Sequence, residues 1–311
     1  MDDKGIKQDI KNFYWDYCGR KTAIGVGCSG YGRKEFLRNI ETDLSVLMKC
    51  YESGFRYFDT SRSYGDSELS VGKFISEIDR KTIFLATKSS VRQSGGVKFF
   101  KRNFYESFDR LNTDYIDLFQ IHDSDSYDIC MDEVIPFLSE RKKEGMIRYI
   151  GFATRSLTAQ SQAIVDGHID SVLSYLDYNL IKTSALSVME LAKKYSVCFI
   201  NASVLLFGLL KNDINEGRYK NSRGLAGKRS EFAKKMKDLC QSMGVDIIDA
   251  AIQYSLLNPD VDITLNGIKS LDNLESTINA IKQPLFPEQW AAVFDLQRTC
   301  ENINIPDEFN Y

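Results

Sequence analysis

The feature that most constrains this chain is an alternation that runs along nearly its whole length. Short apolar runs rich in β-branched and aromatic residues alternate with amphipathic stretches whose apolar residues have helical spacing. The apolar runs predict eight strands, at 22–27, 55–59, 82–87, 115–121, 147–152, 170–175, 197–201 and 262–268. The stretches between them, such as 43–53, 67–78 and 98–111, predict helices.

Eight βα units in succession predict an α/β fold, a single (β/α)8 TIM barrel with its active site at the carboxyl ends of the strands. A doubly wound open sheet is the alternative. In an open sheet that binds a dinucleotide, the first glycine motif opens a helix and an acidic residue follows about 20 positions on. The glycines of "GVGCSGYG" (25–32) lack this continuation, and a lone glycine cluster is weak evidence for either fold. At 311 residues, the whole chain (1–311) is predicted to form one domain.

Two segments depart from the alternation. Residues 211–229 are polar and Gly-rich, and they are long for a connection between strand and helix, so they predict a loop over the barrel mouth. Residues 284–311 predict a C-terminal helix and a tail.

Composition narrows the class of partner. Apolar residues make up 43% and charged residues 27%, as in ordinary globular proteins, and the net charge of −3 gives no basic footprint for nucleic acid or an anionic membrane. No run approaches the roughly 18 apolar residues of a membrane span, and the N-terminus does not resemble a secretory signal. The seven cysteines form no CxxC pair, which indicates reduced thiols without a metal site. We therefore expect a soluble cytoplasmic protein without a nucleic-acid or membrane partner.

Four polar side chains are predicted to meet at the barrel mouth. Asp59 ends the second predicted strand, Lys88 directly follows the third and His122 the fourth, while Tyr64 lies in the loop after Asp59. A free tyrosine has a pKa near ~10, and a nearby ammonium lowers it. Lys88 would supply that charge, Asp59 would orient Lys88, and His122 would position a carbonyl or alcohol oxygen beside the phenol. The set therefore suits general acid–base catalysis at an oxygen.

Each member of this set also has a plain structural interpretation. Asp59 and Lys88 could form a buried salt bridge at the strand ends, and Asp59 alone could turn the chain. Tyr64 could be an ordinary turn aromatic, and His122 a satisfied structural histidine. These alternatives are plausible singly, but their coincidence at successive strand ends favours catalysis.

At these residues the sequence resembles the aldo-keto reductases. The resemblance covers about residues 20–282, and the motifs that carry it are "FDTSRSYGDSELSVGKFI", "FLATKS", "YESFDRLNTDYIDLFQIHD", "RKKEGMIRYIGFAT" and "LLFGLL". It implies a barrel with a catalytic tetrad of Asp59, Tyr64, Lys88 and His122. It also implies a nicotinamide cofactor, NAD(P), that exchanges hydride with the substrate carbon while Tyr64 moves the proton.

Departures from the commoner pattern of the aldo-keto reductases indicate which branch of that family the sequence resembles. Thr154 and Arg155 stand where many members have Ser-Asn, Tyr175 where many have Gln, and Val204 where a proline is common. "SVLSYLDYNL" and "NASVLLFGLL" look more like the L-galactose and aldose dehydrogenases, which oxidise sugars at the anomeric carbon. Tyr175 would stack on the nicotinamide or simply fill the barrel.

The resemblance also implies a set of cofactor contacts. They are Gly27, Cys28, Asp59, Thr154, Arg155, Tyr175, Ser203, Leu205, Gly208, Gly267, Lys269, Ser270, Asn273 and Thr277. NADP-preferring relatives place cations where this chain has Gly267 and Asn273, which leaves Lys269 as the nearby cation. We therefore expect NAD to be favoured, unless Arg155 or the 211–229 loop holds the 2′-phosphate.

Substrate contacts are predicted at Tyr31, Arg62 and His122, whose polar groups suit a hydroxylated compound. The leading hypothesis is an aldose dehydrogenase that interconverts an alcohol or hemiacetal and a carbonyl. The alternatives are a reductase of non-sugar aldehydes or ketones, and a redox-sensing regulatory subunit that binds a nicotinamide and docks on a partner protein.

Overall fold

The computed structural model describes residues 5–11, 15–17, 20–32, 39–91, 96–122, 127–211 and 225–301. The strands in these ranges are β1 Trp15–Tyr17, β2 Arg20–Gly27, β3 Tyr57–Asp59, β4 Phe84–Ser90, β5 Ile116–His122, β6 Ile147–Ala153, β7 Ser171–Tyr175, β8 Cys198–Ala202 and β9 Ile263–Asn266. The longer α-helices are Gly5–Lys11, Ile40–Glu52, Ser67–Ile75, Gly96–Leu111, Ile135–Lys143, Leu157–Asp166, Leu186–Lys194, Leu225–Ser242, Ile247–Leu257, Leu271–Lys282 and Pro287–Glu301, and a short helix Tyr127–Ile129 with a π-helical turn Cys130–Val134 precedes Ile135–Lys143.

Strands β2 to β9 pair in parallel in chain order, and β9 pairs back with β2. The predicted closed barrel of eight parallel strands is therefore confirmed, and the open doubly wound sheet is excluded. The first strand, β1, adds an antiparallel hairpin outside this ring.

Local turn chemistry explains why some strand boundaries differ from the predicted ones. The prediction began the third barrel strand at residue 82, but Arg80–Thr82 form a short 3-10 helix and β4 begins at Phe84. The carboxylate of Asp79 caps that turn by accepting from the backbone N–H of Lys81 at 3.0 Å. Side chains of this kind compete with strand pairing for backbone N–H groups, so the strand begins later than its apolar pattern suggests.

Apolar side chains pack in two separate layers. One cluster fills the space between the strands and the surrounding helices, and the other fills the barrel interior. Residues along a strand alternate between these layers. The alternation sends Ala86 and Lys88 of β4 toward the barrel axis, while Leu85 packs against the helices.

The amino-terminal helix Gly5–Lys11 closes one end of the barrel, which the sequence analysis missed. Ile6 and Ile10 are buried in the interior cluster, and the hydroxyl of Tyr149 donates to the Asp9 carboxylate at 2.5 Å. Lys7 pairs with Asp262, just before β9, at 3.1 Å. The helix therefore covers the amino-terminal ends of the strands and leaves the carboxyl ends open.

The predicted loop at 211–229 lies largely outside the described residues. Its last five positions were assigned wrongly, because they form the start of helix Leu225–Ser242. The C-terminal helix predicted within 284–311 is present as Pro287–Glu301, and the tail beyond it is also outside the described part. No helix in the described ranges is long and apolar enough to cross a bilayer.

Candidate active site

Asp59 and Lys88 form a buried ion pair where strands β3 and β4 reach the mouth. Both side chains are 2% exposed, and the Lys88 ammonium contacts Asp59 Oδ1 directly. The same ammonium donates to the carbonyl of Thr60 at 2.9 Å, and Gln120 Nε2 donates to Asp59 Oδ2, also at 2.9 Å. Each carboxylate oxygen therefore has its own donor.

The pair is held in its charged form by mutual contact. Burial acts to lower the pKa of Lys88, but its contacts with Asp59 and Tyr64 act together in the other direction, and the pKa lies above its usual range. For Asp59, burial raises the pKa, against the stabilising contacts from Lys88 and Gln120. A lysine with a raised pKa requires an ionised partner, so a cation sits fixed beneath the mouth at neutral pH.

Tyr64 and His122 lie next to this cation. The Lys88 ammonium is 5.2 Å from the centroid of the Tyr64 ring. The rings of Tyr64 and His122 are perpendicular, with centroids 5.8 Å apart. The structure thus brings all four of the predicted catalytic residues together.

The turn that carries Tyr64 is anchored on both sides. Its backbone N–H donates to the carbonyl of Ser61 at 3.0 Å, and Gly65 follows in the left-handed region with φ +62°. Arg110 donates to the Gly65 carbonyl at 2.6 Å and pairs with the buried Glu68 at 3.2 Å. Glu68 also accepts from Thr87 of β4 at 2.8 Å, so the tyrosine turn is tied to the wall of the barrel.

Two serine hydroxyls hold the His122 ring. Ser61 Oγ and Ser63 Oγ each lie 3.2 Å from His122 Nδ1 and 2.8 Å from one another. Ser61 also contacts the carbonyl of Lys88 at 3.1 Å. The hydroxyls therefore hold the Nδ1 side of the His122 ring.

Ser61, Ser63 and Gln120 were not among the residues predicted from the sequence. A signal was available for Gln120, because it lies two positions before His122 on one strand and so faces the same side. The signal for the serines was weaker, since "DTSRS" also reads as ordinary turn chemistry.

Of the predicted substrate contacts, His122 lies at the mouth, whereas the polar groups of Tyr31 and Arg62 form hydrogen bonds with other residues of the protein. Tyr31 is fully buried and its hydroxyl donates to the carbonyl of Ile268. Arg62 binds Glu106 through two nitrogens, at 2.8 and 3.1 Å. Contact of either residue with a substrate stays a prediction.

A polar cavity of about 230 Å³ opens beside the tyrosine turn. Its wall combines hydroxyl, amide and guanidinium groups with one aromatic ring. The lining residues are Arg62, Ser63, Ser89, Ser90, Phe99 and Asn103. Because Ser63 also contacts His122, this cavity adjoins the candidate active site.

On the opposite side of the mouth, the predicted cofactor residues lie at the ends of β6 to β8. The guanidinium of Arg155 lies 5.9 Å from the centroid of the Tyr175 ring, which is partly exposed. Thr154 is nearly buried and accepts at Oγ1 from the backbone N–H of Ser156 at 3.3 Å. Tyr175 packs against both apolar clusters, so it helps to fill the barrel.

The loop after β8 has an unusual backbone. Ser203, Leu206 and Phe207 have positive φ angles of 60, 48 and 54°, followed by Gly208 at 95°. Such conformations are costly for residues with a side chain. Predicted contacts Ser203, Leu205 and Gly208 all lie on this loop, whereas the half-exposed Phe207 was not predicted as a contact.

The remaining predicted cofactor residues surround the ends of β2 and β9. Gly267 is exposed, and a Cβ added to it would meet nothing within 4 Å. Ser270 caps helix Leu271–Lys282 by accepting from the N–H of Asn273 at 3.2 Å, and Thr277 donates to the Asn273 carbonyl at 2.7 Å. Lys269 packs its stem across Gly30.

At the end of β2, Gly27 leaves little room above it, since an added Cβ would lie 3.3 Å from the carbonyl oxygen of Asn266. Cys28 is fully buried, and its backbone N–H donates to the carbonyl of Asp59 at 2.8 Å. Burial raises the pKa of the Cys28 thiol well above its usual range, with a smaller contribution from Asp59.

Comparison with known proteins agrees with this arrangement. Residues 23–298 match the model of the Aldo/keto reductase family. The chain is 30% identical to L-galactose dehydrogenase of Arabidopsis thaliana over 84% of its own length and 85% of the relative. It is also 30% identical to D-arabinose 1-dehydrogenase of Saccharomyces cerevisiae, over 68% of each chain.

A solved structure has the same architecture. The holo form of an aldo-keto reductase from Bacillus halodurans superposes with a TM-score of 0.74 at 25% identity, covering 89% of this chain and 93% of that one. The family match over residues 23–298 covers β3 to β9, most of β2 and the four side chains at the mouth. The chain therefore belongs to the aldo/keto reductase family and is an NAD(P)-dependent oxidoreductase.

Proposed function

We propose that this protein is an aldose dehydrogenase, in which Tyr64 carries the proton between a sugar hydroxyl or hemiacetal and the corresponding carbonyl. The observation that carries the proposal is the position of the Lys88 ammonium, which touches Asp59 and lies 5.2 Å from the centroid of the Tyr64 ring. A cation held there lowers the pKa of the phenol, which lets the phenol exchange a proton near neutral pH.

Each tetrad residue has a separate task in this proposal. Tyr64 donates or accepts the proton at the substrate oxygen. Lys88 supplies the stabilising charge, and Asp59 keeps Lys88 ionised and in place. His122 donates from Nε2 to the same oxygen and so orients the substrate, while the two hydroxyls on Nδ1 hold the ring.

Nicotinamide, when bound, supplies the hydride acceptor or donor at the carbon. The chain's own groups fit such a cofactor at the other side of the mouth. Space is open beside Gly267, and the first backbone N–H groups of helix Leu271–Lys282 offer a favourable site for a phosphate. Ser203, Leu205 and Gly208 would bind the pyrophosphate. Near the nicotinamide end, Gly27, Asp59 and Thr154 would line the site, with the fully buried Cys28 directly behind them.

Arg155 and Tyr175 would lie against the nicotinamide ring, because both come from strand ends beside the tetrad. At the adenosine end, Lys269, Ser270, Asn273 and Thr277 would surround the ribose. Gly267 and Asn273 stand where NADP-preferring relatives place cations, and Lys269 offers a point charge and not a guanidinium fork, which supports the proposal that NAD is preferred to NADP.

The proposed substrate class rests on the relatives and on the polarity of the mouth. L-galactose dehydrogenase and D-arabinose 1-dehydrogenase are both named for aldoses. Ser63 and Ser90 add hydroxyl groups next to His122, and the buried Asn103 carries an amide oxygen without a hydrogen-bond partner among the described residues. A hydroxylated substrate would suit these groups better than an apolar aldehyde.

A substrate panel tests the proposal. Initial rates are measured for aldose oxidation with NAD and NADP, and for reduction of aliphatic and aromatic aldehydes, with Tyr64→Phe as the background control. We expect the highest kcat/KM for an aldose. Higher values for aldehydes would replace the proposal with carbonyl reduction, and the absence of Tyr64-dependent turnover with every compound would favour a regulatory role.

A further inference from the structure

Gln120 lies beneath the tetrad, on the inner face of β5. It is fully buried, and its Nε2 lies 2.9 Å from Asp59 Oδ2. We infer that Gln120 is a positioning residue for the reaction, which fixes the Asp59 carboxylate so that its other oxygen holds the Lys88 ammonium under Tyr64. This inference rests on the catalytic tetrad proposed above.

The chemistry of the two groups sets the orientation of the amide. A carboxylate can only accept hydrogen bonds, so the NH2 group of Gln120 must face Asp59. The reverse orientation would place two oxygens 2.9 Å apart. The amide therefore donates to Asp59 and cannot exchange ends.

This orientation leaves the other end of the amide unsatisfied. Gln120 Oε1 is buried and has no hydrogen-bond partner among the described residues. Gln253, another fully buried glutamine, instead donates to the carbonyls of Ala280 and Gln283 and accepts from the N–H of Leu285. A half-satisfied buried amide costs stability, so its position is better explained by its single contact with Asp59 than by packing.

The barrel wall makes room for this side chain. In the sheet register, Gln120 lies opposite Lys88 on one side and Gly151 on the other. A Cβ on Gly151 would lie 2.8 Å from Gln120 Cγ and 2.6 Å from Ser171 Oγ. Glycine at this point thus allows the glutamine to lie across the wall toward Asp59.

Loss of the amide donor has a predictable electrostatic effect. Asp59 is buried, and a hydrogen bond to its ionised form lowers its affinity for a proton. Among the titratable side chains of the described residues, Lys88, Cys28 and Tyr57 interact with Asp59, and Tyr64 and His122 lie next to the Lys88 ammonium. Burial raises the pKa of the Cys28 thiol and the Tyr57 phenol well above their usual ranges, so both stay neutral in the acid range.

The first experiment compares Gln120→Met with Gln253→Met, because methionine matches glutamine in length and both sites are fully buried. In Gln120→Met we expect the acid limb of kcat to move up by about 1–2 pH units, the equivalent of one hydrogen bond to a charged group. Gln253→Met should lower the melting temperature and leave the limb in place.

A second readout is independent of turnover. The side-chain carboxyl carbon of Asp59 is followed by NMR in protein labelled at aspartate, and its signal is identified by its loss in Asp59→Asn. Its titration should shift upward in Gln120→Met and stay unchanged in Gln253→Met. This measurement decides the inference even if the proposed substrate class fails.

A third variant, Gln120→Glu, keeps the shape of the side chain in case the methionine variant does not fold. The introduced carboxyl can donate to Asp59 when it is protonated and repels Asp59 when it is ionised. Turnover should therefore persist in acid and fall as the pH rises, opposite to the methionine variant. An unmoved acid limb together with an unmoved Asp59 titration would overturn the inference.

Discussion

The two sides of the barrel mouth are built differently. The strand side, formed by Asp59, Tyr64, Lys88, His122 and Gln120, has its charges buried and paired, with most of its groups on strands. The loop side consists of the segments Ser203–Leu210 and Gly267–Asn273. Its residues lie on connections, many are partly exposed, and three non-glycine residues have positive φ angles.

The positions of the side chains are fixed by different features of the fold on the two sides. Parallel pairing fixes the height of each strand, so side chains on β3, β4 and β5 meet without help from the loops. The loop side depends on backbone conformations that the local sequence does not favour. We therefore expect substitutions on the strand side to affect chemistry, and substitutions on the loop side to affect cofactor affinity and stability.

The largest effect is expected for Tyr64→Phe. Removal of the phenol oxygen removes the proton carrier, so kcat should fall by at least ~10². Cofactor affinity, measured by fluorescence titration, should stay within about twofold, because the ring and its packing remain. Tyr105→Phe is the matched control, since that tyrosine is exposed and its hydroxyl accepts from Arg141 away from the mouth. A Tyr64→Phe enzyme that keeps most of its turnover would show that another group moves the proton.

Lys88→Met should lower kcat and also change its pH dependence. Without the ammonium, the pKa of the Tyr64 phenol rises, so the limb assigned to this group should move to higher pH. The variant also leaves Asp59 buried without its cation, which costs about 3–5 kcal/mol of stability.

Lys182→Met is the control for this loss of stability. Lys182 forms a similarly buried pair with Asp177 at 2.5 Å, outside the tetrad. It should lower the melting temperature without moving the pH profile. If Lys88→Met reduces the rate but the profile stays where it was, the role of the lysine is structural.

The strand side was largely predictable from the sequence, because two strong signals coincide there. Apolar alternation located β3, β4 and β5, and Asp59, Lys88 and His122 lie at or next to their ends. Barrel geometry then brought residues far apart in the chain to one edge. Gln120 was not predicted, because its spacing from His122 indicates which side of the strand it faces but not that Asp59 lies within its reach.

The loop side was less predictable for a physical reason. Positive φ at Ser203 or Phe207 cannot be inferred from residue type, since both residues ordinarily avoid that region. The burial of Tyr31 could not be inferred from residue type either. Its hydroxyl suggested a substrate contact, yet the side chain is buried and the hydroxyl donates to the carbonyl of Ile268. The family resemblance therefore allowed cofactor contacts to be predicted on the loop side, but residue types alone did not predict the conformation of these loops.

On the loop side, Lys269→Ala should change cofactor choice rather than chemistry. We expect the unaltered enzyme to have a higher kcat/KM with NAD(H) than with NADP(H). Lys269 is the nearby cation for a 2′-phosphate, and one exposed charged contact is worth roughly 1 kcal/mol or less, a few-fold in affinity. Lys269→Ala should therefore reduce kcat/KM for NADP(H) by that factor and leave NAD(H) unchanged.

The control for this prediction is Lys282→Ala, which removes an exposed cation at the far end of the same helix. It should alter neither cofactor at moderate ionic strength, where exposed charges are partly screened. A clear preference of the unaltered enzyme for NADP(H) would contradict the expectation and direct attention to the cations of segment 211–229.

The smallest effect concerns backbone strain on the loop side, and two serines allow a matched test. Ser203 has φ +60° on the loop after β8, and Ser196 has φ +56° before the same strand, at the opposite end of the barrel. Glycine adopts this region without the steric cost of a Cβ, so each Ser→Gly change should stabilise the protein by up to about 1 kcal/mol, measured by denaturant unfolding. Ser203→Gly should in addition weaken cofactor binding, because it removes a predicted contact and loosens the loop, whereas Ser196→Gly should not. Equal cofactor affinity in the two variants would mean that strain at Ser203 serves the fold and not the cofactor.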